Sequence, residues 1–164
     1  KLPGTNPVEI DLLEQIRTTL ELFKNTDNTT FSVKWPQENK VFIFADREHL
    51  NGIFSNLFKN SIQAIPPGRE GLIKVEMEVI GSKVMISVAD NGTGIPEALK
   101  KKMFTPNFTT KSSGTGLGLS IVKKYVEGIN GRIWFESGDN MGTTFFIEFP
   151  MMYTGEKPGE TNAD

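Results

Sequence analysis

Two β-rich runs, Leu72–Ile80 and Lys83–Ala89, are separated only by Gly81 and Ser82. A two-residue link containing Gly is a hairpin signal, so the two runs are expected to pair antiparallel. Thr30–Val33 and Val41–Phe44 read as strands around a polar turn, and Arg132–Glu136 with Thr143–Phe149 as the last two strands. Strands that arrive in adjacent pairs fit a doubly wound parallel sheet poorly, because that architecture alternates strand with helix.

Helices fill the intervals. Asn6 to Phe23 reads as a helix with Asn6 as N-cap and Pro7 at its first position. Its apolar residues Leu12, Leu13, Ile16 and Leu20 recur at helical spacing. A longer helix is expected from Asp46 to about Ile65, stopped by Pro66-Pro67-Gly68. Its stripe is Leu50, Ile53, Phe54, Leu57, Phe58, Ile62 and Ile65. Asp90 to Gly114 is broken up by Gly, Pro, Thr and Ser, with one short helix starting at Pro96; another helix runs from Thr115 to about Glu127. Pro150 closes the domain, taken as residues 1–153, and Thr154 to Asp164 reads as a solvated, disordered tail. The order predicts an α+β two-layer sandwich, with one mixed, mostly antiparallel sheet of about five or more strands against three helices.

Composition removes several function classes. The 18 basic and 20 acidic residues leave a charge of -2, which gives no electrostatic reason for nucleic-acid binding or membrane-surface attraction. Cys is absent and His occurs once, so disulfides, thiolate sites and multi-histidine zinc centres are excluded. No apolar run approaches the roughly 20 residues of a membrane span. The first residue is Lys1 rather than Met. An excised domain is therefore expected, whose parent can carry spans upstream.

Four motifs carry the chemistry. Asn56, Asn60 and Gln63 share one helix face. Neutral amide oxygens suit Mg²⁺, which takes its other ligands from water and phosphate. Taken alone, the stripe also reads as an ordinary wet face. Val88-Ala-Asp-Asn-Gly-Thr-Gly-Ile-Pro96 runs a strand into a glycine turn. Asp90 there can accept a hydrogen bond from an exocyclic amine, and Gly92 and Gly94 can admit a flat ring. Asn-Gly after a strand is equally a common turn.

Met103-Phe-Thr-Pro-Asn-Phe-Thr-Thr-Lys111 sets Phe104 and Phe108 as candidate latches of a loop. Thr109, Thr110 and Lys111 can meet phosphate, or the Lys is simply solvated. Gly114-Thr-Gly-Leu-Gly-Leu-Ser-Ile-Val122 is a glycine-rich turn that opens a helix, where exposed N–H groups and the helix dipole favour phosphate. Leu117 and Leu119 would anchor it. No Gly-Lys-Ser/Thr follows, so it is not a Walker A loop.

In their order and spacing, these motifs resemble the asparagine, first glycine, phenylalanine and second glycine boxes of histidine kinases. Those enzymes belong with gyrase, Hsp90 and MutL in one superfamily. Asn56-Leu-Phe-Lys-Asn-Ser-Ile-Gln-Ala64, Gly131-Arg-Ile-Trp-Phe-Glu-Ser137 and Gly142-Thr-Thr-Phe145 are similar to the same family, so the resemblance covers about residues 6 to 150. The Gln-Ala pair and the Phe-Thr-Thr-Lys loop look most like the nitrogen-regulation subgroup.

The resemblance implies a Bergerat-type ATP-binding fold and a site for ATP with Mg²⁺. Asn60 would be the metal ligand, with Asn56 in the same phosphate pocket. Asp90 would read the adenine amine, with Gly92, Gly94 and Ile95 around the base. Phe104, Thr109, Thr110, Lys111, Gly114, Thr115, Gly116, Leu117 and Gly118 would belong to the lid and phosphate turn, the lid running from about Glu97 to Ser113. Asn56, Asn60 and Lys111 would serve the transfer step. Hydrolysing members of the superfamily carry an acidic residue four before the metal-binding Asn. Asn56 stands there and cannot act as a base, which favours a kinase over a self-sufficient ATPase.

The acceptor is not evident. His49 lacks the acidic neighbour and downstream Pro of the family's acceptor box. On the helical wheel it falls near the Asn56–Asn60 face, either at the pocket's edge or without a catalytic task. The implied partners are a dimerisation and histidine-phosphotransfer domain of the parent chain and a response-regulator receiver domain. A cytoplasmic location is implied, without direct membrane contact by this domain, in a parent that is either free or held at the inner membrane. A nucleotide-sensing module without transfer activity is the alternative. Gly52, where the family often has Gln, and Ser61, where it has Ala, depart from the pattern; Gly52 costs the helix about 1 kcal/mol against Ala.

Overall fold

A computed structural model describes residues 4–106 and 118–155. In chain order the elements are β1 (Val8–Asp11), α1 (Leu12–Glu21), β2 (Thr29–Lys34), β3 (Val41–Ala45), α2 (Arg47–Gln63), β4 (Gly71–Ile80) and β5 (Lys83–Asp90). A 3₁₀ helix (Glu97–Lys102), α3 (Gly118–Gly128), β6 (Arg132–Ser137), β7 (Thr143–Pro150) and β8 (Tyr153–Thr154) follow. Five strands form a mixed sheet in the order β2-β4-β5-β7-β6, parallel at β2–β4 and antiparallel elsewhere. The expected hairpin is present. Ile80 pairs with Lys83 across the turn, where Gly81 takes a φ of 61° that a side chain would resist.

Alternation along the strands supplies the sheet's inner face. Ile73, Val75 and Met77 of β4, Val84, Ile86 and Val88 of β5, and Phe145, Ile147 and Phe149 of β7 are all buried. The stripe of α2 meets this face with Leu50, Ile53, Phe54, Leu57 and Phe58 at 0% exposure. Burying one such side chain fully contributes about 1.5–3 kcal/mol. Leu12, Leu13, Ile16 and Leu20 of α1 and Val122 and Val126 of α3 complete the same core.

The first helix starts later than expected. Asn6 and Pro7 precede a strand, and Asp11 is the N-cap, accepting from the Leu13 N–H at 3.2 Å. The reason is tertiary: Val8–Asp11 pairs antiparallel with Phe42–Ala45 and buries Ile10. Those gains outweigh the local preference of Asn-Pro for a helix start.

β2 and β3 also do not pair with each other. β2 runs parallel to β4, while β3 joins β1 and β8 in a second, three-stranded antiparallel sheet. Val41, Ile43 and Ala45 of β3 are thereby buried in the common core. The chain continues past Pro150: the Met152 N–H bonds the Phe42 carbonyl at 2.7 Å, and Thr154 pairs with Val41. Residues 156–164 of the expected tail lie outside the described residues.

Polar groups fix the entry of α2. Asp46 caps the helix, accepting from Glu48 N–H at 2.8 Å and His49 N–H at 3.3 Å, and from Asn6 N–H at 2.8 Å. The Asn6 bond is the largest of the influences that hold its carboxyl below the usual range. A lowered folded value means stabilisation that is present above the unfolded carboxylate value and lost as pH falls through the folded one. Gln15, 4% exposed, bonds Asn51 and accepts from Arg47 at 2.8 Å, tying α1 to α2. The Ser61 hydroxyl, at 0% exposure, finds no hydrogen-bond partner among the described residues.

Two outcomes test these contacts by urea denaturation. Asp46→Ala should lose about 1 kcal/mol at pH 7, and the loss should shrink as pH falls below about 4; an undiminished loss in acid would reject the carboxylate as the cap. Ser61→Ala should gain about 1 kcal/mol, because it removes a buried polar group that is not bonded. Destabilisation would show that the hydroxyl is satisfied in solution.

Candidate nucleotide site

The α2 seam turns its polar stripe toward the end of β5. There a cavity of about 240 Å³ is lined by Asn60, Gln63 and Ala64 of the helix end and by Asp90 of the strand end. Thr93, Gly94 and Ile95 of the following turn, Met103, Leu119 of α3, and Thr143 and Phe145 of β7 complete it. Asp90 Oδ1 accepts from the Gly92 N–H at 2.9 Å and from the Thr143 N–H at 3.3 Å. These donors hold the carboxylate in one orientation at the cavity wall.

Backbone packing builds the floor. The Thr93 N–H bonds the Ala64 carbonyl at 3.0 Å, and the Asn140 N–H bonds the Thr93 carbonyl at 2.6 Å. A Cβ on Gly92 would stand 2.5 Å from the Ala64 oxygen, and one on Gly94 would overlap the Gly138 carbonyl. Gly94 also has a φ of 75°. These glycines are required by neighbouring backbone whatever ligand enters. The Ser137 hydroxyl accepts from the Ile95 N–H at 2.8 Å and sits 2.8 Å from the Thr143 hydroxyl, joining the β5 turn to β7.

Of the expected site residues, Asn60, Asp90, Gly94 and Ile95 line this cavity. Asn56 stands one turn earlier on α2, and a Cβ on Gly118 would meet its Oδ1 at 3.2 Å. Gly92 supports the wall through the Asp90 bond. Phe104 packs beside Phe135, with ring centroids 5.8 Å apart. Thr109, Thr110, Lys111, Gly114, Thr115, Gly116 and Leu117 lie outside the described residues, as does Phe108.

His49 does not line the cavity; it stacks on Tyr125 at 4.1 Å. Thr143, Met103 and Phe145 were not among the sequence candidates. The Gly142-Thr-Thr-Phe145 run was the available signal for two of them, but nothing local ties β7 to Asp90. A larger cavity of about 470 Å³, bounded by Trp35, Met85 and Phe146, lies on the outer face of the sheet and holds none of the candidates.

Apart from the Asp90 carboxylate, the polar side chains that line the cavity are neutral. Among the described residues no group of three His, Cys, Asp or Glu side chains could hold a metal. A cation here would rest on amide oxygen, water and the ligand's own anionic groups, which suits Mg²⁺ better than zinc.

The family described as histidine kinase-, DNA gyrase B- and HSP90-like ATPase matches residues 45–152. The chain belongs to this family. It is 42% identical to the sensor histidine kinase ZraS of Escherichia coli (strain K12) over 71% of its own length and 24% of that protein's. To sporulation kinase B of Bacillus subtilis (strain 168) it is 34% identical, covering 85% of this chain and 33% of the relative. It thus spans about a quarter to a third of these relatives.

The catalytic domain of histidine kinase ThkA, solved nucleotide-free, superposes with a TM-score of 0.78 at 39% identity, covering 89% of this chain and 96% of that one. ThkA in complex with the response regulator TrrA gives 0.73 at 35% identity, over 89% of this chain and 42% of that one. The expected α+β sandwich of the histidine kinase family is therefore the observed fold. Among the described residues no helix is long and apolar enough to cross a membrane.

Gly94→Ala should cost at least about 2 kcal/mol in urea denaturation, from its positive φ and the clash with Gly138. A cost near zero would mean that the two turns do not meet in solution.

Proposed function

We propose that this chain binds Mg-ATP as the catalytic domain of a two-component sensor histidine kinase. It would donate the γ-phosphoryl group to a histidine on a dimerisation domain outside this chain. The observation that carries the reading is the convergence of Asp90 and Asn60 on one cavity beside the start of α3. A carboxylate fixed by two N–H groups is an acceptor for the adenine amine. Asn60 would hold Mg²⁺ on the phosphates, with Asn56 and Gly118 beside them. Lys111, Thr109, Thr110, Gly114, Thr115, Gly116 and Leu117, which lie outside the described residues, would contact them, as would Phe104. Mg²⁺, when bound, neutralises phosphate charge.

Several features support transfer rather than hydrolysis. Asn56 donates its amide to the Gly52 carbonyl at 2.7 Å and offers no base for water. Phosphoryl transfer depends chiefly on positioning and charge, so the reaction awaits a nucleophile brought by another domain. His49, stacked on Tyr125 and not among the residues lining the cavity, would have no catalytic task. The final acceptor would be a response-regulator receiver domain, and residues 1–153 the functional unit, working in the cytoplasm. Placement in the nitrogen-regulation subgroup rests on the Gln63-Ala64 pair and the Phe-Thr-Thr-Lys loop.

Calorimetric titration with a non-hydrolysable ATP analogue, with and without Mg²⁺, tests the reading. The chain should bind more tightly with Mg²⁺. Asp90→Asn should weaken binding at least about tenfold without loss of fold, and Asn60→Asp should alter the metal dependence. Unchanged affinity in Asp90→Asn would remove the adenine assignment.

A further inference from the structure

Gly52 is a helix-interior glycine that propensity alone does not explain. The structure shows what it accommodates. A Cβ on Gly52 would lie 3.1 Å from Cε2 and 3.5 Å from Cδ2 of Tyr125, so the ring from α3 rests directly on the α2 backbone. His49, one turn before Gly52, stacks on the same ring with an interplanar angle of 8°. The Gly52 carbonyl, in turn, holds the Asn56 amide. Two turns before Tyr125, Gly118 begins α3 against Asn56 Oδ1. The helices thus meet antiparallel at two points, the Tyr125 seat and the Asn56–Gly118 approach, and the second adjoins the cavity.

We propose that Tyr125, seated on Gly52 and clasped by His49, is a positioning residue that sets the distance between Asn56 and the first turn of α3, and so the grip on the nucleotide's phosphates. The proposal rests on the ATP reading given above. A rigid helix transmits a displacement at Tyr125 over about 10 Å to Gly118. The adenine wall of Asp90, Thr93, Gly94 and Thr143 belongs to other elements, and of the residues that line the cavity only Leu119 lies on α3. Tyr125 therefore governs affinity for the phosphates far more than affinity for the base.

The test compares ATP and adenosine binding by calorimetry in four variants, with thermal unfolding as the control for folding. Gly52→Leu puts a side chain under the ring and should weaken ATP about tenfold while adenosine binding stays near the parental value. Tyr125→Phe keeps the seated ring and should leave both affinities unchanged. Tyr125→Ala should lose ATP affinity selectively. The double change Gly52→Leu with Tyr125→Ala refills the seat and should recover most of that loss. Equal weakening of ATP and adenosine, or parental ATP affinity in a folded Gly52→Leu protein, would overturn the positioning role. If the parent chain binds neither ligand, the ATP reading itself fails, and this inference with it.

Discussion

Five side chains of α2, Leu50, Ile53, Phe54, Leu57 and Phe58, lie wholly out of water, in the core that the helix forms with β4 and β5. At about 1.5–3 kcal/mol each, this seam contributes as much as the whole net stability of an ordinary domain. It also fixes the rotation of α2, because turning the helix would expose the phenylalanines. With that rotation set, Asn60 and Gln63 face the end of β5, where Asp90 stands. The site is therefore a consequence of the core. Asn60 and Gln63 lie on a side of the helix that the seam leaves uncovered.

The cavity owes its shape to backbone rather than to large side chains. Gly92 lets the β5 turn press on the Ala64 carbonyl, Gly94 lets it press on the Gly138 carbonyl, and Gly142 lets the β6–β7 turn approach the Asp90 carbonyl. Hydrogen bonds through Ser137 and Thr143 lock the β5 turn to β7. Such a surface is preorganised: little side-chain entropy remains to be lost when a flat ligand enters. The opposite wall is made by separate helices, and its spacing is set by how α3 rests on α2. One side of the proposed site is held by sheet hydrogen bonds, the other by helix packing. Helix packing tolerates small shifts more readily than a hydrogen-bonded ladder does, so the phosphate side is the adjustable one.

Much of this was legible in the chain. Period-two apolar alternation around Gly81-Ser82 specifies a hairpin whatever surrounds it, and the 3.6-residue stripe of α2 with Asp46 as its cap specifies a helix with one buried face. The polar stripe, the Asp-x-Gly-x-Gly turn and the later glycine run were visible as motifs. Each had a bland reading, and their order and spacing carried the family resemblance. The misses have a common cause. Val8–Asp11 alternates apolar with polar over only four residues and follows a helix-start dipeptide, yet β3 offers it an edge. β2 and β3 are neighbours in the chain and strangers in the sheets, because β4 is the better partner for β2.

Local chemistry, then, was settled by the sequence itself: which segments alternate, where helices can begin, and which residue types could meet phosphate or an amine. These depend on neighbours a few residues away, within the reach of backbone sterics and side-chain periodicity. Pairing across the sheets, the joining of Thr143 to Asp90, and the seating of Tyr125 on Gly52 were decided only by the tertiary structure. Those contacts join residues 53 and 73 positions apart. Their partners are chosen by which surfaces remain to be buried once the core has closed, and no local pattern records that choice.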